Sequence, residues 1–237
     1  MRSEFAVAAI AATLACRAAA AMDLTQAQDQ LILSGKVVDG DAQRVAAALA
    51  DDPGIRTIIL RASPGGHAPT GYRLGELFRR RGLATAVSGF CFSSCSRMFL
   101  GGKERRFTDD LAPELTDVGF HGHYGRDGRL DGALVRRLGL KAWIIRYSDG
   151  KADAALVERW INIERSAGLI HFFPPSLAAT RGHATFLCSG EERSAAGIFG
   201  CEPIAATALD RGIITALDFV HSKDREPVSP TPPPASR

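Results

Sequence analysis

Neither charge sign dominates this chain. Its 29 lysines and arginines face 26 aspartates and glutamates, a net charge of +3 with the two signs interspersed. Nothing here makes the broad basic surface of a nucleic-acid binder, so no nucleic-acid partner is expected. The short RRRG run at 79–82 ends a helical pattern, where cations complement the helix dipole. A long apolar run is also missing. The longest, from Phe5 to Cys16, is too short to cross a bilayer, so no transmembrane span is expected in the mature chain. Cysteine is sparse, with five residues in all.

What is present is ordinary globular composition: 237 residues, 46% hydrophobic and 23% charged, the size of one generous domain. The N-terminus, MRSEFAVAAIAATLACRAAAAMDL, has a leading arginine, a short apolar stretch and an alanine string with an A-x-A-like site near Ala19–Ala21. That is the pattern of a secretory signal over residues 1–21, and it predicts a periplasmic or secreted protein. Cys16 lies in TLAC, which faintly resembles a lipoprotein acylation box, so an anchor at Cys16 is the alternative. Cleavage would leave four cysteines, Cys91, Cys95, Cys188 and Cys201. An even number in an oxidising compartment predicts disulfides, most simply Cys91–Cys95 and Cys188–Cys201, though four cysteines allow three connectivities. The Pro-rich segment 223–237 has little to bury and is expected to be disordered.

Between these ends, residues 31–222 read as one α/β domain. DQLILSGKV, RTIILRAS and LATAVSGF are buried-strand runs. DGDAQRVAAALADDPGI, APTGYRLGELFRRRG and SSCSRMFLGG alternate with them as helices. KERRF and DVGFHGHY read as short strands. A helical region runs from about 132 to 167, broken at Asp149-Gly150. ERSAAGIFG and PIAATALDRGIITAL close the chain with helix and a last strand. Strand–helix alternation with short connections implies parallel pairing. In such sheets ligands sit at the carboxyl ends of strands. ASPGGH and GFCFSSC both occupy that position. A serine at a strand-to-helix turn, with free N–H groups beside it, is the geometry of an acyl-transfer nucleophile and its oxyanion hole. DVGFHGHY supplies histidines about thirty residues later.

The order LRASPGG, helix, TAVSGFCFSSCSRMFLGGKERRF, VGFHGHYG resembles the Clp-type serine peptidases of the ClpP/crotonase superfamily. The closer match is their secreted bacterial branch, whose nucleophile turn reads Cys-x-Ser-x-Cys. The resemblance covers about residues 31–125, is thin from 126 to 200, and returns at ALDRGIITAL. It implies a ClpP/crotonase-like spiral of repeated β-β-α units, no cofactor, a peptide or protein substrate, and allows a homo-oligomer. Carried over by position, Ser93 is the nucleophile, His121 the base, and the N–H groups of Gly66 and Ser94 the oxyanion donors. The family's aspartate has no counterpart: RGHATFLCSGEE holds Ala184 or His183 at its place. Asp117, Glu191 and Glu192 are the other carboxylates to consider; without one the site is a Ser-His dyad, or the protein is an inactive binding or assembly module. A different chemistry is also open. Cys91, Cys95, His121 and His123 number and type suit a tetrahedral zinc site.

Overall fold

Three near-continuous apolar runs build the centre of the sheet. The computed structural model describes residues 21–192 and 198–225. In it QLILS (β2, Gln30–Ser34), TIILRAS (β3, Thr57–Ser63) and ATAVSGFCF (β4, Ala84–Phe92) pair in parallel. Such runs suit strands covered on both faces. Before them DLTQA (β1, Asp23–Ala27) forms an antiparallel edge strand on β2. Its polar, mostly exposed sequence hid it, and the ordered domain begins ahead of residue 31.

β4 is forked. Its first half, Thr85–Val87, pairs with β5 (Arg105–Phe107), and its second, Phe90–Phe92, with β6 (Asp117–Phe120). From β6 the sheet continues antiparallel through β7 (Ile170–Phe172), β8 (Thr185–Leu187) and β9 (Glu202–Ile204). The order is β1-β2-β3-β4-β6-β7-β8-β9 with β5 beside β4. Strands β7 and β8 are each three residues long, too short for a period to register in the sequence.

Helices α1 (Asp41–Asp51), α2 (Ala68–Arg81) and α3 (Ser94–Gly101) follow β2, β3 and β4. Every residue of α3 is buried. It packs closely on α2 through small residues: a Cβ on Gly71 would stand 2.9 Å from the Ser94 Cβ, and one on Gly101 would strike the Gly75 backbone. This contact fixes the start of α3 and the turn before it. The region 132–167 is not one long helix with a single break but three short ones, α4 (Gly132–Arg137), α5 (Leu140–Tyr147) and α6 (Ala154–Ile161). Gly139 in the left-handed region separates the first two. A last short helix, α7 (Ala178–Arg181), precedes β8.

The closing helix and strand expected over 203–217 do not form. Ala208–Gly212 is a turn, and Ile213 and Ile214 are buried without joining a ladder. Instead the Ile213 and Ile214 N–H groups turn back to the Ala208 carbonyl at 2.8 and 3.2 Å, and the buried Arg105 guanidinium donates to the carbonyls of Ile213 at 3.1 Å and Gly212 at 3.0 Å. Order also reaches past residue 222: Lys223–Arg225 form a 3₁₀ turn, with Lys223 Nζ 2.6 Å from Asp29. The leader with Cys16, most of the ERSAAGIFG helix and the tail beyond 225 lie outside the described residues.

Candidate active site

Ser93 sits where β4 ends and α3 begins, at φ +56°. A non-glycine residue in that region stores strain and persists only where its surroundings hold it. Here the hold is visible. Ser93 N–H donates to the Gly119 carbonyl at 3.1 Å, and the Ser93 carbonyl accepts from Ser96 N–H at 3.1 Å and Ser96 Oγ at 2.7 Å. Cys91 and Cys95 are disulfide-bonded across the turn, with Cα atoms 5.2 Å apart. The second disulfide joins Cys188 and Cys201. With both sulfurs of the first pair bonded to each other, neither is a thiolate ligand, and the zinc reading of Cys91, Cys95, His121 and His123 is withdrawn.

The SPGG turn leans on the serine from the other side. A Cβ on Gly65 would lie 2.7 Å from the Ser93 Cβ and 2.8 Å from the Ser94 nitrogen, and φ there is +82°, so only glycine fits. Val37 brackets the next residue, donating to the Gly65 carbonyl at 2.9 Å and accepting from His67 N–H at 2.8 Å. This pairing skips the Gly66 N–H. Ser94 N–H opens α3 and has no intrahelical acceptor. Both N–H groups named from the sequence as oxyanion donors are therefore unspent, on turns that touch.

Ser93 and Gly66 line a cleft of about 800 Å³, together with Lys36, His67, His121 and His123. The two C-terminal histidines differ. His123 Nε2 bonds the Tyr72 hydroxyl at 3.0 Å. His121 is 8% exposed, and among the described residues neither of its ring nitrogens has a hydrogen-bond partner, Ser93 included. Apo sites often show such loose catalytic pairs. Burial, reinforced by the Arg97 charge, pushes His121 down to about 3. The same two causes, opposed weakly by Asp131, bring His123 to about 3. Tyr124 packs against His121 with the rings tilted by 37° and their centroids 4.8 Å apart, and donates its hydroxyl to the Ile163 carbonyl at 2.7 Å.

Among the described residues no carboxylate orients His121. Ala184 is buried in an apolar cluster with Phe173, Leu177 and Phe186, and His183 lies edge-on to Phe186 at 6.5 Å. Glu191 pairs with Arg165, and Glu192 folds back onto Ser189 and Gly190. Asp117 Oδ2 is 2.6 Å from His171 Nδ1, and burial pushes its carboxyl up against the pull of His171. Three groups escaped the sequence reading. His67 directly follows SPGG and could have been noticed there. His171 lies in a strand too short to recognise. Arg97 looks like any helical arginine, yet it is 1% exposed, gives Nη2 to the His121 carbonyl at 3.0 Å, and lies 5.7 Å over the Tyr72 ring.

A forked sheet with a glycine turn and a strained serine at its carboxyl edge is a mixed α/β fold of the ClpP/crotonase type. The sequence matches no protein-family profile and no curated protein. Among solved structures, an Asn-to-Asp mutant of ClpP1 from Listeria monocytogenes is similar with a TM-score of 0.51 at 13% identity, over 83% of this chain and 94% of that one. ClpP1 from the same organism gives 0.48 at 11%, with the same coverage of 83% and 94%. A Ser-to-Ala mutant of the 1510-N membrane-bound stomatin-specific protease gives 0.45 at 13%, over 79% and 78%. The first of these, at 13% identity, establishes the fold alone and leaves chemistry to the site.

Proposed function

We propose that this chain is an exported serine hydrolase acting on peptide bonds. The observation that carries the reading is Ser93, strained at φ +56° and facing a cleft shared with His121, whose ring nitrogens are unbonded. Ser93 Oγ attacks the acyl carbonyl while His121 takes its proton. The oxyanion that forms is held by the Gly66 and Ser94 N–H groups, a contribution of about 3–4 kcal/mol per donor. His121 then returns the proton to the leaving amine, and water repeats the sequence to release the acyl group. With no acid on His121, the site works as a dyad, at a rate below that of a full triad. Export is supported by the leader pattern and by the two disulfides. Among the described residues no helix is long and apolar enough to cross a membrane.

The buried alanine at position 184 favours a second reading, a binding module on the same fold. A fluorophosphonate probe separates them. Labelling of the native chain at Ser93, lost in Ser93→Ala, is expected; absence of labelling gives the site to the binding module.

A further inference from the structure

Lys36 is a charged side chain lining the cleft, and no aspartate or glutamate lines it. His67, His121 and His123 line it too, the last two held neutral by burial and the Arg97 charge. Lys36 is exposed beside the oxyanion turn: a Cβ on Gly66 would stand 3.2 Å from its Cγ. Among the described residues no carboxylate pairs with Lys36, and none pairs with the buried Arg97. Arg97 Nε and Nη1 are buried without a partner, and its charge reaches His121, His123 and Tyr124. Of the nearby acids, Asp131 caps α4 at the Leu134 N–H, 2.8 Å away, and Asp39, 3.7 Å from His67 Nδ1, is 77% exposed and screened by solvent.

We infer that the cleft recognises acidic acyl and peptide substrates, with a carboxylate next to the scissile carbonyl on the Lys36–Gly66 side. This rests on the hydrolase reading for the scissile bond, but the recognition itself does not. A buried cation without a counter-ion is costly, and an anion entering the cleft offsets part of that cost. The ammonium of Lys36 supplies the contact, and the α3 N-terminus with its unspent Ser94 N–H adds to the same field. Lys36 alone, as a solvated rim charge, would be worth little. What makes the difference is the unpaired cation behind the site, next to His121, which lines the cleft nine-tenths buried with its ring nitrogens unbonded. Basic substrates are disfavoured by the same field.

The test is equilibrium binding to full-length Ser93→Ala, read by fluorescence anisotropy. The probes are labelled N-acetyl peptides identical except for a central Glu, Gln or Lys. The Glu peptide is expected to bind about tenfold tighter than the Gln peptide, a difference of about 1.4 kcal/mol. The Lys peptide should be weakest, and the spread should narrow as salt rises. Adding Lys36→Gln should shrink the Glu-over-Gln ratio about threefold. Equal affinities, a Lys peptide that binds best, or no binding by any of the three overturns the inference. Fluorophosphonate labelling of the wild type runs in parallel. A labelled Ser93 with a flat charge series removes only the acidic preference, whereas a steep series without labelling removes only catalysis.

Discussion

The backbone carbonyl of His121 accepts a 3.0 Å hydrogen bond from Nη2 of Arg97. The candidate base is thus anchored by a cation, where a Ser-His-Asp triad orients its imidazole with an anion. Burial and that cation hold His121 neutral down to about 3. A general base acts in its neutral form, so the acid limb of activity should lie near the low folded value instead of the ordinary one of about 6.5. The rate of fluorophosphonate labelling, corrected for folded fraction, should stay flat from about pH 7 to about pH 5. Arg97→Met should move the limb upward. A wild-type limb close to the ordinary histidine value would mean that His121 is solvated or is not the base.

Stability should respond to acid with a definite sign. His121 and His123 both titrate low in the fold, near about 3. Below about 6.5 the unfolded chain takes up protons that the folded chain refuses. Stability from this source is therefore complete above about 6.5 and falls as pH drops toward about 3. Denaturant midpoints measured across that window should decline. Tyr72→Phe removes the hydroxyl on His123 Nε2 and leaves that nitrogen buried and unpaired. A cost of about 1–3 kcal/mol is expected. Labelling of Ser93 should survive, because His123 is not asked to move a proton.

Two neighbours of the proposed nucleophile should behave in opposite ways. In the proposed mechanism Ser94 contributes only its backbone N–H, and its buried Oγ has no hydrogen-bond partner among the described residues. Ser94→Ala should keep labelling and cost no stability, since it deletes an unsatisfied hydroxyl. Gly65→Ala puts a methyl against the Ser93 Cβ and the Ser94 nitrogen at a φ of +82°. Labelling should be lost, together with about 1–3 kcal/mol of stability. If Ser94→Ala instead abolishes labelling while Ser93→Ala spares it, the nucleophile is one residue further on.

Strands β2, β3 and β4 and helices α1 to α3 were legible because each is a run of residues with one period and clear glycine or proline stops. The turns at Gly65-Gly66 and Ser93 were legible for the same reason: they fall between such runs. What was not legible was set by tertiary contact. β7 and β8 exist because His171 and Phe172 find partners on β6 and β8, not because three residues show a pattern. In place of the C-terminal strand stands a turn whose Ile213 and Ile214 N–H groups bond the Ala208 carbonyl, with Arg105, 108 residues away, on the Ile213 carbonyl. Arg97 gave no sign of burial, since α3 is covered on every side only after α2, β6 and α5 assemble. The sequence could show that an acid was missing at Ala184. It could not show that a cation stood behind the histidine.

The two disulfides should separate stability from chemistry. Cys188–Cys201 closes a loop across 13 positions, Cys91–Cys95 one across only four. Chain entropy assigns about 3 kcal/mol to the longer closure and about 2 kcal/mol to the shorter. Replacing Cys188 and Cys201 by alanine should therefore lower the denaturant midpoint more. That pair packs with Phe173 and Phe186, in a cluster separate from the core around Ser93, so labelling of the folded protein should change little. The Cys91→Ala, Cys95→Ala variant should show the reverse balance. Its loss of stability is smaller, but one of the ties holding Ser93 in a strained backbone conformation is gone. Relaxation of that φ would turn both the hydroxyl and the Ser94 N–H away from their working positions, and labelling should fall by at least tenfold, which corresponds to about 1.4 kcal/mol of lost transition-state stabilisation. The measurement is a denaturation curve and a labelling rate on each double variant. Equal labelling in both would mean that hydrogen bonds to Gly119 and Ser96 alone suffice to hold the turn.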